Sequence, residues 1–335
     1  MTERENPIAS RVLRMFNIFI LFTVIRILEN ALLIVPNDRP DTKNAIGAVV
    51  GIVLFFALLR LRGVSNRRIG LSAPLPKIRK SFLIAIVTAT ISIFTGYMFD
   101  LISLKITGNK VNFGIYAYGY KLSEHNAKTY IFVMLICFMI CALLAFEYEA
   151  VFRGLITRTG RSVLPFAAVN FIQALMFAIF YAVYPLLFST VGKAGFTEFM
   201  IKVIVLYFVH GFILALALGL LRRGDGSLWL SIFTSFFVYY FNSVIRTVSW
   251  GTLPMFELRR MVAIDVALLV LSFVYYRIRM NKRQKILDKI KEEQEAVEDD
   301  DEEYEYYDED EEIEKTVKSF NDKLKDASDK YDELS

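Results

Sequence analysis

Eight long apolar runs, separated by polar connections, make up most of the chain as far as residue 276. A helix needs ~20 predominantly apolar residues to cross the hydrocarbon core of a bilayer, and the runs reach or approach that length. The pattern therefore predicts an all-α fold, a polytopic membrane bundle of about eight transmembrane helices. The runs are Met15–Val35, Ala45–Leu61, Ser81–Leu101, Tyr130–Phe152, Leu164–Phe188, Phe199–Leu221, Ser227–Val244 and Met261–Tyr276.

The composition agrees with this pattern and excludes an ordinary soluble domain. Hydrophobic residues form 55% of the 335-residue chain, and the mean hydropathy is +0.42. If all eight runs span, five basic clusters fall on one side of the membrane. The positive-inside rule then places both termini in the cytoplasm of a multi-pass cell-membrane protein. The clusters are Arg4 to Arg14, Arg60 to Lys80, Arg153 to Arg161, Arg222 with Arg223, and Arg277 to Arg283.

The connection Arg62–Lys80 alternates basic and apolar residues. That pattern suits a segment lying on the anionic inner surface of a membrane. A plain positive-inside loop explains it equally well, and the sequence leaves both interpretations open.

Beyond the last run the character of the chain changes. Of the 21 residues from Glu292 to Glu312, 15 are Asp or Glu, so we expect Glu295–Glu312 to be extended or disordered. An apolar heptad seam follows, which predicts an amphipathic, coiled-coil-like helix over 313–334 that either binds a partner or itself, or is a simple surface helix. Its positions are Ile313, Val317, Phe320, Leu324, Ala327, Tyr331 and Leu334.

We accordingly divide the chain into three parts: the first two helices in 1–60, a membrane core in 61–280, and a cytoplasmic tail in 281–335. Within the core, the fourth run ends with the charged residues Glu147, Glu149 and Arg153. A charge at that depth costs about 2.5 kcal/mol or more, so it requires a partner or a purpose. Glu149 and Arg153 are four residues apart and share a helix face, so they can pair. The pair is either a structural clamp or a surviving catalytic base, Glu149, oriented by Arg153. We favour the clamp.

Other polar residues lie within the runs. Arg26 and Glu29 are three apart and are predicted to pair, whereas Asp100 and Asp265 lie near run ends and are expected to reach interfacial water. His210 is interpreted as a hydrogen-bonded packing residue. The second histidine, His125, lies in an external connection, and we find no residue set for a zinc site or other cofactor. Asn170, Gln173 and Asn242 are candidates to line the same cavity as Glu149.

The segment Glu149–Ile156, which reads Glu-Ala-Val-Phe-Arg-Gly-Leu-Ile, resembles the first motif of the CAAX protease and bacteriocin-processing (CPBP, or Abi) family of intramembrane proteases. That motif has two adjacent glutamates, three residues and an arginine, commonly around Phe-Arg-Gly. Glu149 and Arg153 fit it. Tyr148 stands where the family has its first glutamate, which is taken to activate the attacking water.

Two later motifs resemble the family in frame and differ in their histidines. In the second motif, which is Phe, three residues and His, Tyr181 takes the histidine's place after Phe177. The third begins with a turn that matches Gly226-Ser227-Leu228-Trp229, and its later positions fall on Ser235, in place of His, and Tyr239, in place of Asn or Asp.

The resemblance implies a CAAX-protease-like core, here with both histidines and the first glutamate replaced. Such a chain is similar to the lysostaphin-resistance-protein-A branch, in which the fold binds membrane or cell-wall partners. We therefore expect a bacterial pseudoprotease that acts as a scaffold or regulator of membrane or envelope proteins, with no nucleic-acid partner. The alternative is an active endopeptidase using Glu147, Glu149, Arg153 and His210. A transporter is a third, weakly supported class, because no inverted repeat is seen.

Overall fold

The computed structural model describes residues 7–32, 40–109, 111, 114–117, 120–121, 127–191, 198–247 and 254–302. Almost all of them are helical. The helices are α1 (Pro7–Leu32), α2 (Pro40–Leu61), α3 (Asn66–Ile69), α4 (Leu75–Ile106), α5 (Ala127–Tyr148), α6 (Thr157–Arg161), α7 (Phe166–Val191), α8 (Glu198–Asp225), α9 (Trp229–Val244) and α10 (Pro254–Glu302), with a π-helical segment, Glu149–Ile156, between α5 and α6.

The prediction of an all-α polytopic membrane bundle is confirmed in outline. Within the described residues, six helices are long and apolar enough to cross a membrane. The second run forms a shorter apolar helix, Ala45–Leu61, and the seventh forms α9, of 16 residues. The six candidate spans are Ile8–Glu29, Leu75–Ile106, Ile131–Arg161, Phe166–Val183, Met200–Asp225 and Met255–Lys289.

The outer surface of the bundle is apolar, whereas charges lie inside it. Val53, Leu83, Phe94 and Ile131 expose between 62% and 71% of their surface, as expected of side chains that face lipid. In the interior, α8 packs between α7 and α10, and α4 packs against α9 and α10. The helix α5 lies against α2 and α9, so the end of α5 and the π-helical segment are surrounded by neighbouring helices.

Two turns at one end of the bundle are locked together. Gly70 has φ 84°, a left-handed conformation that favours glycine, and its carbonyl accepts a hydrogen bond of 2.9 Å from the backbone N–H of Leu228. The indole Nε1 of Trp229 donates to the carbonyl of Leu71 at 2.8 Å. These contacts fix the start of α9 relative to the connection before α4, and a Cβ at Gly70 would meet the backbone of Leu228 at 3.1 Å.

A small antiparallel sheet, which the all-α prediction did not include, lies at the opposite end. Its strands are β1 (Gly114–Ala117), β2 (Tyr120–Lys121) and β3 (Ile245–Arg246), in the order β2-β1-β3. Gly114 pairs with Arg246 and Tyr116 with Lys121. The sheet joins the connection after α4 to the end of α9.

The helix α10 continues without a break across residue 280 as far as Glu302. The expectation of an extended or disordered chain is therefore wrong for Glu295–Glu302. Glutamate, glutamine, lysine and alanine are good helix formers, and the preceding helix supplies the nucleus on which the acidic stretch propagates. The rest of the acidic block and the predicted heptad helix over 313–334 lie outside the described residues.

Candidate functional site

The charged end of the fourth run adopts an unusual helix. From Glu149 to Ile156 the backbone is π-helical, and all eight residues are buried. The hydroxyl of Thr157 donates to the carbonyl of Phe152 at 2.9 Å, five positions earlier. A π-helical segment is rare, and where one occurs inside a longer helix it is often found at a functional site. This conformation sets the directions of the Glu149 and Arg153 side chains.

Glu149 and Arg153 form the ion pair that their spacing predicted. The Nη1 atom of Arg153 lies 3.2 Å from the Oε1 atom of Glu149, and both side chains are fully buried. The Ser231 hydroxyl lies beside the Glu149 carboxyl. Among the described residues, however, no hydrogen bond of normal geometry reaches either side chain's charged group. The Arg153 guanidinium lies over the Phe177 ring, 4.4 Å from its centre.

Three of the positions singled out by the family resemblance come together as a tyrosine cluster, formed by Tyr148, Tyr181 and Tyr239. The ring of Tyr148, at the end of α5, lies 6.1 Å from that of Tyr181 on α7 and 6.1 Å from that of Tyr239 on α9, edge-on in both cases. Phe177 and Phe180 pack on the same Tyr148 ring at 5.7 and 5.3 Å. Aromatic edges and faces thus fill the space between α5, α7 and α9.

The fourth position, Ser235, is buried in α9 one turn before Tyr239. Its hydroxyl donates to the backbone carbonyl of Ile232 at 3.0 Å, a bond within its own helix. The Tyr239 hydroxyl is buried beside that of Tyr181 and makes no hydrogen bond of normal geometry among the described residues. It lies close enough to Glu149 and Arg153 to interact with them electrostatically, so the tyrosine cluster and the ion pair form one site.

Glu147 belongs to a different pair. Its Oε2 atom accepts a hydrogen bond of 2.8 Å from Arg26 in α1, and the same guanidinium binds Glu29 at 2.7 Å and the Tyr148 hydroxyl at 3.3 Å. The predicted Arg26–Glu29 pair is confirmed. The bond between Arg26 and Glu147 was not predicted from the sequence. Both residues are charged and lie deep in apolar runs, and that depth alone indicates that each needs a partner.

His210 lies beyond the tyrosine cluster. Its Nδ1 atom is 2.5 Å from the Oδ2 atom of Asp265, and both side chains are fully buried. The Tyr181 ring stands edge-on to the imidazole at 5.2 Å. His210 is therefore a hydrogen-bonded packing residue, as predicted. Among the described residues, no hydrogen bond or ion pair joins Glu147 or His210 to the Glu149–Arg153 pair; Glu147 binds Arg26, and His210 binds Asp265.

The expectation that Asp100 and Asp265 reach interfacial water is wrong. Asp100 is buried, binds the Thr247 hydroxyl and lies 3.3 Å from Nη1 of Arg260. Asp265 is buried against His210. Each partner comes from a helix or loop far away in the chain, so position within an apolar run did not indicate it.

The remaining side-chain amides within the apolar runs lie on two helices, Asn170 and Gln173 on α7 and Asn242 on α9. The Gln173 side chain donates to the side-chain oxygen Oδ1 of Asn170 at 2.9 Å and to the backbone carbonyl of Ala215 at 3.0 Å. The Asn170 side chain donates to the backbone carbonyl of Leu216 at 3.3 Å. These two amides hold α7 on α8. Asn242, half-buried in α9, has no side-chain partner among the described residues.

Within the part of the chain that the structure describes, no group of three or more His, Cys, Asp or Glu side chains is placed to hold a metal ion. His125 lies outside those residues.

No protein-family model matches the chain, and no curated protein matches it. The resemblance to the CAAX protease family therefore remains a prediction that rests on short motifs. The motif positions Tyr148, Tyr181 and Tyr239 do converge on one site, beside Glu149 and Arg153.

Proposed function

We propose that the protein is a CAAX-protease-like membrane protein of eight helices that no longer cuts peptides. It acts as a pseudoprotease, a scaffold or regulator of membrane or envelope partner proteins. The observation that carries the proposal is the packing of Tyr181 and Tyr239 on Tyr148. The centre of the Tyr148 ring lies 6.1 Å from the ring centre of each of the other two. These are the positions at which the resembling family has its first glutamate, a histidine and an Asn or Asp.

The chemistry of tyrosine supports this reading. Hydrolysis needs a base to activate water and a group to stabilise the developing oxyanion. A neutral phenol is a poor base at neutral pH and does not bind zinc as imidazole does. By the resemblance, water and a substrate carbonyl would meet between these positions, and in this proposal the packed rings of the tyrosine cluster leave no room for them. Glu149 and Arg153 then act as a clamp at which the π-helical segment packs on Phe177 of α7, with Ser231 of α9 beside Glu149.

The arrangement of charge supports a membrane location with both termini in the cytoplasm. The basic clusters lie at one end of the bundle if eight helices span, and the acidic stretch of α10 extends beyond its last apolar residues. In this proposal the cell is bacterial, the tail from 281 to 335 offers a cytoplasmic contact, and the helix over 313–334 binds a partner or another copy of the chain.

A second candidate function is an active intramembrane endopeptidase. The observation that favours it is the state of Glu149, a fully buried carboxylate in a π-helical segment whose oxygens lack hydrogen bonds of normal geometry. A buried polar group without such hydrogen bonds requires an explanation, and a catalytic role is one. In that case Glu149 would be the base and Arg153 would orient it.

Chemical cross-linking in intact membranes, followed by mass spectrometry, tests the scaffold proposal. We compare the wild-type chain with a Glu149→Gln/Arg153→Gln double variant, in which both charges are removed together. A scaffold links to the same partner proteins at the same level in both forms. Partners that are intact in the variant and cut in the wild type would support the endopeptidase and contradict the scaffold.

A further inference from the structure

A cavity of about 880 Å³ opens at the end of the bundle where α1, the connection before α4, α6 and the end of α8 meet. Seven arginines line it. Two come from α1, two from the connection Arg62–Lys80, two from α6 and one from the end of α8. The arginines are Arg11, Arg14, Arg62, Arg68, Arg158, Arg161 and Arg222.

The described walls of this arginine cavity are strongly basic. Among the described residues that line it there is no Asp or Glu; the others are Val64, Leu155, Thr159 and Ser162. Arg222 lies within electrostatic range of like charges on Arg161 and Arg158, and of the opposite charge on Glu149. Holding such charges together is unfavourable unless an anion or solvent ions compensate them.

Backbone contacts hold some of these guanidinium groups in place. Arg158 donates to the carbonyl of Arg68 at 2.8 Å, and Arg222 donates to the carbonyl of Ile69 at 3.2 Å. The buried Nε of Arg222 has no hydrogen-bond partner among the described residues. Part of the cavity is thus pre-organised, with donors left over for a ligand.

The positive-inside rule explains on which side these residues lie, but not their convergence. Separate loops with separate charges would satisfy the rule equally well. Lysine also occurs nearby, as Lys77 and Lys80, yet every basic residue of the cavity wall is arginine. The planar guanidinium fork matches phosphate oxygens in a bidentate manner, which lysine does not.

We propose that the arginine cavity binds a ligand that carries a phosphate group with two or more negative charges. The chemistry fits the headgroup of a phosphomonoester lipid, with Val64 and Leu155 beside its apolar part, and a soluble pyrophosphate compound. The volume lies in the range of small-molecule sites, about 300–1,000 Å³. This inference does not depend on the proposed scaffold function.

Two probes distinguish the sources. The full chain, purified in a neutral detergent, is titrated calorimetrically with sodium pyrophosphate. In parallel, the chain is reconstituted into phosphatidylcholine vesicles that contain either phosphatidic acid or phosphatidylglycerol, and the lipid retained after extraction into neutral detergent is measured by mass spectrometry. Pyrophosphate binding indicates a soluble ligand, and selective retention of phosphatidic acid indicates a lipid; either result supports the proposal.

A matched pair of variants tests the location. Arg14→Gln/Arg62→Gln removes two charges from the cavity wall, and Arg60→Gln/Arg67→Gln removes two exposed charges from the same end that do not line it. We expect the first to weaken binding about tenfold or more and the second to leave it nearly unchanged. Equal losses in both variants would overturn the proposal. So would the absence of pyrophosphate binding together with equal retention of phosphatidylglycerol and phosphatidic acid.

Discussion

Arg26 in α1 donates a hydrogen bond of 2.8 Å to Glu147 at the end of α5, across 121 positions of the chain. The contact ties the first helix to the segment that leads into the candidate site. It also assigns the two glutamates different partners, since Glu147 binds Arg26 and Glu149 pairs with Arg153. The acidic residues at the end of the fourth run therefore belong to two separate buried ion pairs.

Removing Arg26 leaves two buried carboxylates without their cation. Arg26→Met is expected to lower the free energy of unfolding by about 3–5 kcal/mol, because Glu29 and Glu147 both lose their partner. Thermal and denaturant unfolding in detergent measures the change. Arg14→Met, at an exposed position of the same helix, serves as the control, with an expected change within about 0.5 kcal/mol. Equal effects of the two substitutions would contradict the assignment.

The two glutamates that bind Arg26 also depend on glycines of α2. A Cβ added to Gly47 would collide with the Glu29 carboxylate, and one added to Gly51 would collide with that of Glu147. Either carboxylate would have to shift, which would disturb its contact with Arg26. Gly51→Ala is therefore expected to destabilise the protein by about 1–3 kcal/mol, measured as the midpoint of unfolding.

Gly154→Ala is the matched control for the glycine prediction. Its added Cβ would meet the Leu228 side chain at 3.4 Å, an ordinary contact distance. We expect a change of less than about 1 kcal/mol, because alanine is the better helix former. A Gly51→Ala chain as stable as this control would show that α2 does not press on Glu147.

Tyr148 is predicted to act through its ring more than through its hydroxyl. Tyr148→Phe removes only a long hydrogen bond to Arg26, of 3.3 Å, and is expected to cost about 1 kcal/mol. Tyr148→Ala removes the ring on which Phe177, Phe180, Tyr181 and Tyr239 pack, and is expected to cost about 3–5 kcal/mol. Equal unfolding energies for the two variants would contradict a packing role.

Glu149 and Arg153 are expected to behave as one unit in a double-mutant cycle. Glu149→Gln or Arg153→Gln alone leaves an unpaired charge in a fully buried place, which costs about 3–5 kcal/mol. The double variant leaves no unpaired charge, and we predict that it is more stable than the less stable of the two single variants. Additive losses, measured by thermal unfolding in detergent, would show that the two side chains do not interact.

The membrane class of the fold was predictable because apolar runs of bilayer length have few other uses. Local pairs followed from helical spacing, as Arg26–Glu29 and Glu149–Arg153 show. The start of the last run was less predictable. Arg260 precedes the run and would be expected at its polar boundary, but it is buried beside Asp100. Such partners are 160 positions apart, a separation at which spacing carries no information.

The sequence predicted which positions form the candidate site, but not the helix conformation or the neighbouring side chains around them. The motif resemblance selected Tyr148, Tyr181 and Tyr239, which do meet. It did not indicate the π-helical segment, because residues 149–156 have the composition of an ordinary α-helix. It also did not indicate that seven arginines from four separate stretches of chain would line one cavity, since that depends on how helix ends are arranged in three dimensions.

The central claim, that the site does not cut peptides, is tested most directly by mapping new protein N-termini in membranes. Cells that lack the protein are compared with cells that produce the wild-type chain or the Glu149→Gln/Arg153→Gln variant at equal levels. We predict the same set of N-termini for both forms of the chain. N-termini that require the wild-type chain and disappear with the folded double variant would contradict the account.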